Sequence, residues 1–504
     1  MMWRVRISRS IVLGYVSLII RFLSSLLFSI IVVRSLSSSE FSVWVFGFSI
    51  LPLFSMGYDF WGWIYARRYA LGIRSALYAG VILNVVYAVL SSSILLLLSG
   101  YLLGYLGSQY IYLSLFVFNL SLSALASFAS YTSSTLRPDI FLSSSLVFEL
   151  SRVATAAILI RALKMGLSGA ILSPAIASLI SSLYIIILLR RSGLLKFYLD
   201  HVWREIINTL RMSVAGVAGS IASVMWNLDR IFLTIISKSY EAVSYLGVGY
   251  SLRGIIIQLT SVPSTAIYAK LLEDSKYPLK DLTMLTLSIS IPSLAIMILL
   301  SKPLISLLNP LYINAFMITS IMIFEGFISS LSSLMISIAT GIDRRDLQAE
   351  NLRGFLSSSI ARVRIANFIR ATVFSITSLA YSITLSLRIL PEDPLLSMLI
   401  ISLLLLILST SYMFFSLSEM RKYVRIGLKL GDLIPIIISS TMAILYLSLV
   451  KAYDIVILSV WRDLPILLIH GLIALGIYIL ALYILSDWFR YFIRRYVLTL
   501  VQKF

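Results

Sequence analysis

VRSLSSSEFSVWVFGFSI (residues 33–50) and SKSYEAVSYLGVGYSL (237–252) read as two copies of one hairpin. In each, an apolar run ends in a cation, Arg34 or Lys238, followed by a short Ser/Glu turn and an aromatic-rich run. Gly47-Phe48-Ser49-Ile50 aligns with Gly249-Tyr250-Ser251-Leu252, and the first copy carries two extra residues in its turn. So short a match draws its weight from position, because each copy opens one half of a chain made of apolar runs. Internal repeats of this kind are the signature of many transporters.

The surrounding composition requires a membrane. Apolar residues make up 59% of the 504 and charged residues 12%, with a mean hydropathy of +0.98. A soluble domain is roughly 45–50% apolar and about 25% charged. A helix crossing about 30 Å of hydrocarbon needs roughly 20 apolar residues. On that measure the spans are 10–33, 43–65, 75–100, 109–131, 140–160, 168–189, 209–236, 243–268, 282–301, 312–338, 365–387, 395–417, 433–450 and 466–486. The expected fold is an all-α polytopic membrane protein of about fourteen helices. The repeat divides it into two parallel six-helix lobes, 1–189 and 209–417, joined by a linker at 190–208. Two further helices and a basic tail fill 418–504. The longest polar stretch, 341–364, is too short for a soluble catalytic or nucleotide-binding domain. The opening MMWRVRISR leads into an apolar run too long for a cleavable signal, so it reads as part of the first membrane helix.

Loop charge sets the direction. With the amino terminus inside, 27 of the 41 Lys and Arg fall in inner segments and 8 in outer loops, which is the positive-inside pattern. Both termini are then cytoplasmic, in a plasma membrane. The charge of +19 is thereby topological, and no nucleic-acid partner is expected. Two inner stretches have helical amphipathic spacing. In 194–207, Leu194, Leu195, Tyr198, Val202 and Ile206 alternate with Lys196, Asp200 and Arg204; in 343–364, Leu347, Leu352, Phe355 and Ile360 sit among arginines. They read either as helices on the membrane surface or as plain loops held by snorkelling residues.

Two longer stretches, GYVSLIIRFLSSLLFSIIVVRSLSSSEFSVW (14–44) and WNLDRIFLTIISKSYEAVSYLGVGYSL (226–252), resemble the O-antigen-type flippases. These belong to the multidrug/oligosaccharidyl-lipid/polysaccharide exporter superfamily. The resemblance implies two six-helix lobes around a central cavity, with two extra helices, and alternating access. It implies a lipid-linked oligosaccharide, on a polyprenyl or dolichyl (pyro)phosphate, as the cargo moved from inner to outer leaflet. It carries glycan-assembly enzymes as expected partners and a monomer as the expected state.

Charges inside the spans need a reason, since each costs several kcal/mol in lipid. Arg21, Glu149, Arg152, Asp229, Arg230, Arg253 and Glu325 lie within spans, with Asp59 and Arg370 nearer inner ends. Glu149 and Arg152, three apart, share a helical face and can neutralise each other. Asp59 precedes Arg67 and Arg68 by two turns and reads as interfacial. Adjacent Asp229 and Arg230 point about 100° apart and pair poorly with each other, so both are candidates for substrate binding. Arg21 and Arg253 have no acid within four positions on their own helices. A guanidinium binds phosphate oxygens bidentately and keeps its proton, so these two are the leading candidates for a pyrophosphate head group. The competing reading pairs each with an acid on another helix, such as Glu325 or Glu149. Glu325 is the candidate coupling carboxylate.

Other chemistry is missing from the sequence. There is no phosphate-loop motif, so the chain does not itself hydrolyse ATP. No cysteine is present, and the only histidines, His201 and His470, lack metal-ligand spacing, so neither metal nor cofactor is expected. The first outer loop offers only Glu40, against a membrane glycosyltransferase. The rival to a flippase is a cation-coupled drug or metabolite exporter of the same superfamily, which would favour acids over arginines in its cavity.

Overall fold

A computed structural model describes residues 7–70, 72–102, 110–196, 198–273, 279–343, 345, 357–424, 427 and 429–494. Among them the secondary structure is helical throughout, without strands. Fourteen long rods follow one another: α1 (Ile7–Ser35), α2 (Ser38–Ala70), α3 (Ala76–Leu97), α4 (Tyr110–Leu136), α5 (Pro138–Ala156), α6 (Gly166–Arg191), α7 (Val202–Met225), α8 (Tyr240–Glu273), α9 (Leu279–Leu299), α10 (Phe316–Ile342), α11 (Ser359–Ser386), α12 (Pro394–Arg421), α13 (Leu430–Leu449) and α14 (Val460–Leu485). Eleven stretches among the described residues are long and apolar enough to cross a membrane. The chain is an all-α, multi-pass membrane protein. Each rod overlays one expected span, because backbone groups in lipid must be satisfied within the segment itself.

The rods pack as two compact units. The first comprises Ile19–Gly247 and Arg364–Pro394; the second comprises Met1–Leu18, Val248–Val363 and Leu395–Phe504. In the first unit α2 is central, with Phe41, Phe46, Tyr58 and Tyr65 almost wholly buried. Its entry is a capping box: the Ser37 N–H donates to Glu40 Oε2 at 2.9 Å, while the Glu40 N–H donates to Ser37 Oγ at 3.3 Å. This accounts for the extra residues in the first hairpin's turn. The second hairpin turns instead through Lys238, whose φ of 54° is left-handed.

The two hairpins use their glycines alike. A Cβ at Gly47 would strike the Phe116 ring on α4, and one at Gly249 would strike Met322 on α10. In the numbering of each half, both contacts are to the fourth helix. The final pair, α13 and α14, belongs to the second unit and docks beside α9. Tyr478 Oη donates to Ser288 O at 2.5 Å, and Lys280 Nζ lies 2.8 Å from Asp432 Oδ2.

The stretch 194–207 is not one surface helix. Gly193 (φ 66°) and His201 (φ 57°) break the chain on both sides, and α7 starts only at Val202. Leu194 and Leu195 pack onto the unit's buried clusters, and Tyr69 Oη donates to Leu194 O at 2.5 Å. Core contacts take the apolar face that the periodicity assigned to the membrane surface. Most of 343–364, including Leu347, Leu352 and Phe355, lies outside the described residues, as do Arg495 and Lys503 of the basic tail.

Candidate functional site

Three groups of buried charge stand out. The first lies in the first unit, between α1 and α5. Glu149 is 6% exposed and takes hydrogen bonds from Arg152 and, at 3.2 Å, from Ser25 Oγ. Arg152 Nη2 also donates to Ser25 Oγ at 2.9 Å, and its guanidinium lies 4.4 Å from the Phe28 ring centroid. The i,i+3 pairing expected from the sequence is therefore present, and α1 joins it. Arg21, one turn before Ser25, is half-buried, and its charge acts on Arg152. Its Nε is enclosed and has no hydrogen-bond acceptor among the described residues. The Arg152–Glu149 pair thus has a second guanidinium charge acting on it from Arg21.

The second group, in the second unit, is the closed counterpart. Glu325 on α10 is fully buried. Arg253 on α8 binds it through both Nε and Nη2, the latter at 3.0 Å; Ser329 Oγ donates at 2.7 Å, and Ser409 on α12 also donates. Arg253 has no acid near it in sequence because its partner is on another helix, the competing reading given above. The two helices approach closely at Gly326: a Cβ there would sit 3.0 Å from Arg253 O. Glu325 has its acceptor sites filled, and Arg253 carries its counter-charge.

The third group is a break in the rod that overlays the expected span 209–236. The rod of α7 stops at Met225, turns at Trp226 and Asn227, and resumes as Leu228–Ile235. The break leaves carbonyls without helical donors, and side chains take them. Ser375 Oγ on α11 donates to Met225 O at 2.9 Å, and Asn227 Nδ2 donates to Ser223 O at 3.0 Å. Trp226 packs against Phe374 with ring centroids 5.0 Å apart, and Arg370 sits over the Trp226 ring at 4.4 Å. Asp229 is fully buried and Arg230 donates to Asn227 Oδ1. Asp229 Oδ1 and Arg230 Nε are 3.6 Å apart, so adjacency does give an ion contact, though outside hydrogen-bond range. The resemblance motif WNLDR is the break itself. Irregular backbone inside a membrane protein is tolerated only where protein or a watery cavity satisfies it.

The remaining span charges also find places in the first unit. Asp59 accepts from Tyr131 Oη at 2.6 Å, whereas Arg68 pairs with Glu205 on α7 instead, at 2.8 Å. Arg370 is half-buried on its tryptophan rather than drawn out to the surface. Arg364, counted from the sequence as a loop charge, lies within α11 with its guanidinium 5.1 Å from the Trp63 ring. With Arg253 and Glu325 cancelling, the surplus of positive charge belongs to the first unit: Arg21, Arg152, Arg230, Arg364 and Arg370 against Asp59, Glu149 and Asp229.

No family model and no curated protein sequence matches the chain. Solved structures do. The lipid II flippase MurJ, in an inward closed conformation, superposes with a TM-score of 0.61 at 16% identity, over 94% of this chain and 97% of that one. A Vibrio cholerae MATE transporter, VcmN, gives 0.54 at 12% identity over 82% of this chain and 96% of that one. A MATE structure in the bent conformation gives 0.52 at 14%, with the same coverage. The chain shares the fold of these flippase and transporter structures.

Proposed function

We propose that this chain is a flippase for a lipid-linked oligosaccharide, carrying a polyprenyl- or dolichyl-(pyro)phosphate glycan from the inner to the outer leaflet of the plasma membrane. Coverage is the observation that carries the reading. The MATE structures are matched over 96% of their own length yet leave 18% of this chain unmatched, whereas the MurJ structure leaves 6%. The difference is about the length of two membrane helices. A drug exporter does not need that extra pair; a groove for a prenyl tail would use it.

The site is proposed on the positive surplus. Arg21 and Arg152 hold more charge than Glu149 neutralises, and phosphate oxygens would complete the balance. Arg230 and Asp229 at the break of α7 form a second contact. In the second unit, Arg253 is open to a head group only if that group displaces Glu325, which gives the carboxylate a part in coupling. The repeat supports two six-helix lobes, 1–189 and 209–417, with 190–208 as linker, and the loop charges support both termini in the cytoplasm. The chain is proposed to work as a monomer that receives cargo from glycan-assembly enzymes.

The test is reconstitution of the purified chain into liposomes holding a fluorescent polyprenyl-pyrophosphate glycolipid, read by quenching from outside. Protein-dependent loss of inner-leaflet label is expected. Export of cationic dyes with no glycolipid movement would decide for the drug exporter.

A further inference from the structure

A cavity of about 620 Å³ opens in the second unit between α9, α10 and α12, and none of the charges of the three groups lines it. Its walls are Leu287, Leu334, Met335, Ile338 and Leu417, with Arg421 at one edge. The single hydroxyl in the lining, Thr283, donates to Leu279 O at 2.9 Å and is satisfied there. The volume falls within the range that encloses most of a small ligand.

The edge supplies the second half of the argument. Arg421 is exposed and has no carboxylate partner among the described residues. Four other cations among the described residues do have one: Arg362 and Lys422 share Glu419, Arg345 takes Asp343, and Lys280 takes Asp432. An apolar slot with a free guanidinium at the end of membrane helices matches a hydrocarbon chain bearing an anionic head. The whole lining belongs to one unit, and the positive surplus assigned above to cargo belongs to the other.

We propose that this cavity holds one chain of a resident anionic diacyl phospholipid, with its phosphate on Arg421.

The test uses the full-length protein, stripped of lipid in detergent and given phosphatidylglycerol, phosphatidylcholine of the same chains, or a polyprenyl phosphate. Melting temperature and bound lipid by native mass spectrometry are read together. Phosphatidylglycerol is expected to raise the melting temperature and to remain bound at one molecule per chain, and phosphatidylcholine to do neither. Met335→Trp, which fills the slot, and Arg421→Gln should both abolish the gain while melting normally without lipid. Should Met335→Trp not fold, Arg421→Gln decides, since its side chain is exposed. Equal effects of the two phospholipids, an unchanged gain in Arg421→Gln, or stabilisation by polyprenyl phosphate alone would each overturn the assignment.

Discussion

At the scale of the residue, Glu325 and Arg21 make opposite demands. Glu325 is buried with Arg253 and two serines on its oxygens, so removing the cation strands a charge in a dry site. Arg253→Ala is expected to cost roughly 3–5 kcal/mol, while the paired change Arg253→Met with Glu325→Met stays close to the parent. Thermal melts of the two variants check this; equal losses would contradict it. Arg21→Ala should melt no lower than the parent, because it relieves a guanidinium facing Arg152. Its cost should appear in glycolipid binding, at roughly 2 kcal/mol or more, read by titration with a pyrophosphate lipid. The sequence revealed these two arginines in unequal measure. Glu149 and Arg152 could be paired on paper, since three residues on a helix share a face. The partner of Arg253 lies 72 residues away, and only the packing of α8 on α10 brings it near.

At the scale of the element, close approach and helix ends decide. Gly326 lets α8 reach α10, so Gly326→Ala should cost about 1–3 kcal/mol through overpacking and loosen the Arg253 pair. A melt showing no loss would mean that Ile256 yields freely. The join of α10 to α11 rests on Asp343, which takes the Ser359 N–H at 2.7 Å and the Arg345 guanidinium at 2.9 Å. Burial by itself would raise this carboxyl; the guanidinium and the two backbone N–H donors, of Ser359 and Arg345, outweigh it and hold it well below the usual range. A lowered carboxyl stabilises the fold above its unfolded value of about 3.9 and loses that contribution as pH falls through the folded value. Asp343→Asn should therefore lower the melting temperature at pH 7 and flatten the acid limb of the profile below about pH 4. Spans were legible at this scale because lipid demands long apolar runs. The break at Trp226 was not, since no proline or glycine marks it and the apolar pattern runs through it. At 194–201 the plain-loop alternative is the one found, with its leucines on the core rather than at the membrane surface.

At the scale of the whole molecule, the proposed direction across the membrane rests on the loop charges. The natural absence of cysteine makes it directly measurable. A cysteine at Ser192 should react with an impermeant maleimide only in inverted vesicles, and one at Lys451 only in intact cells; the reverse pattern would invert the proposed topology. The repeat and the resemblance together indicated the transporter fold that the superpositions show. The sequence could not apportion charge between units, because that depends on which helices pack together.

The pairing of Arg253 with Glu325 also constrains how the chain is made. Helix α8 leaves the ribosome before α10, and 72 residues separate the two charges. At about 5–20 residues per second, the guanidinium waits on the order of 4–14 s for its carboxylate. During that interval α8 is a membrane helix with an uncompensated cation, which lipid disfavours by several kcal/mol. Joint entry of α8 to α10 into the bilayer would remove that cost, and crosslinking of stalled nascent chains that end between α8 and α10 is expected to find α8 not yet in lipid.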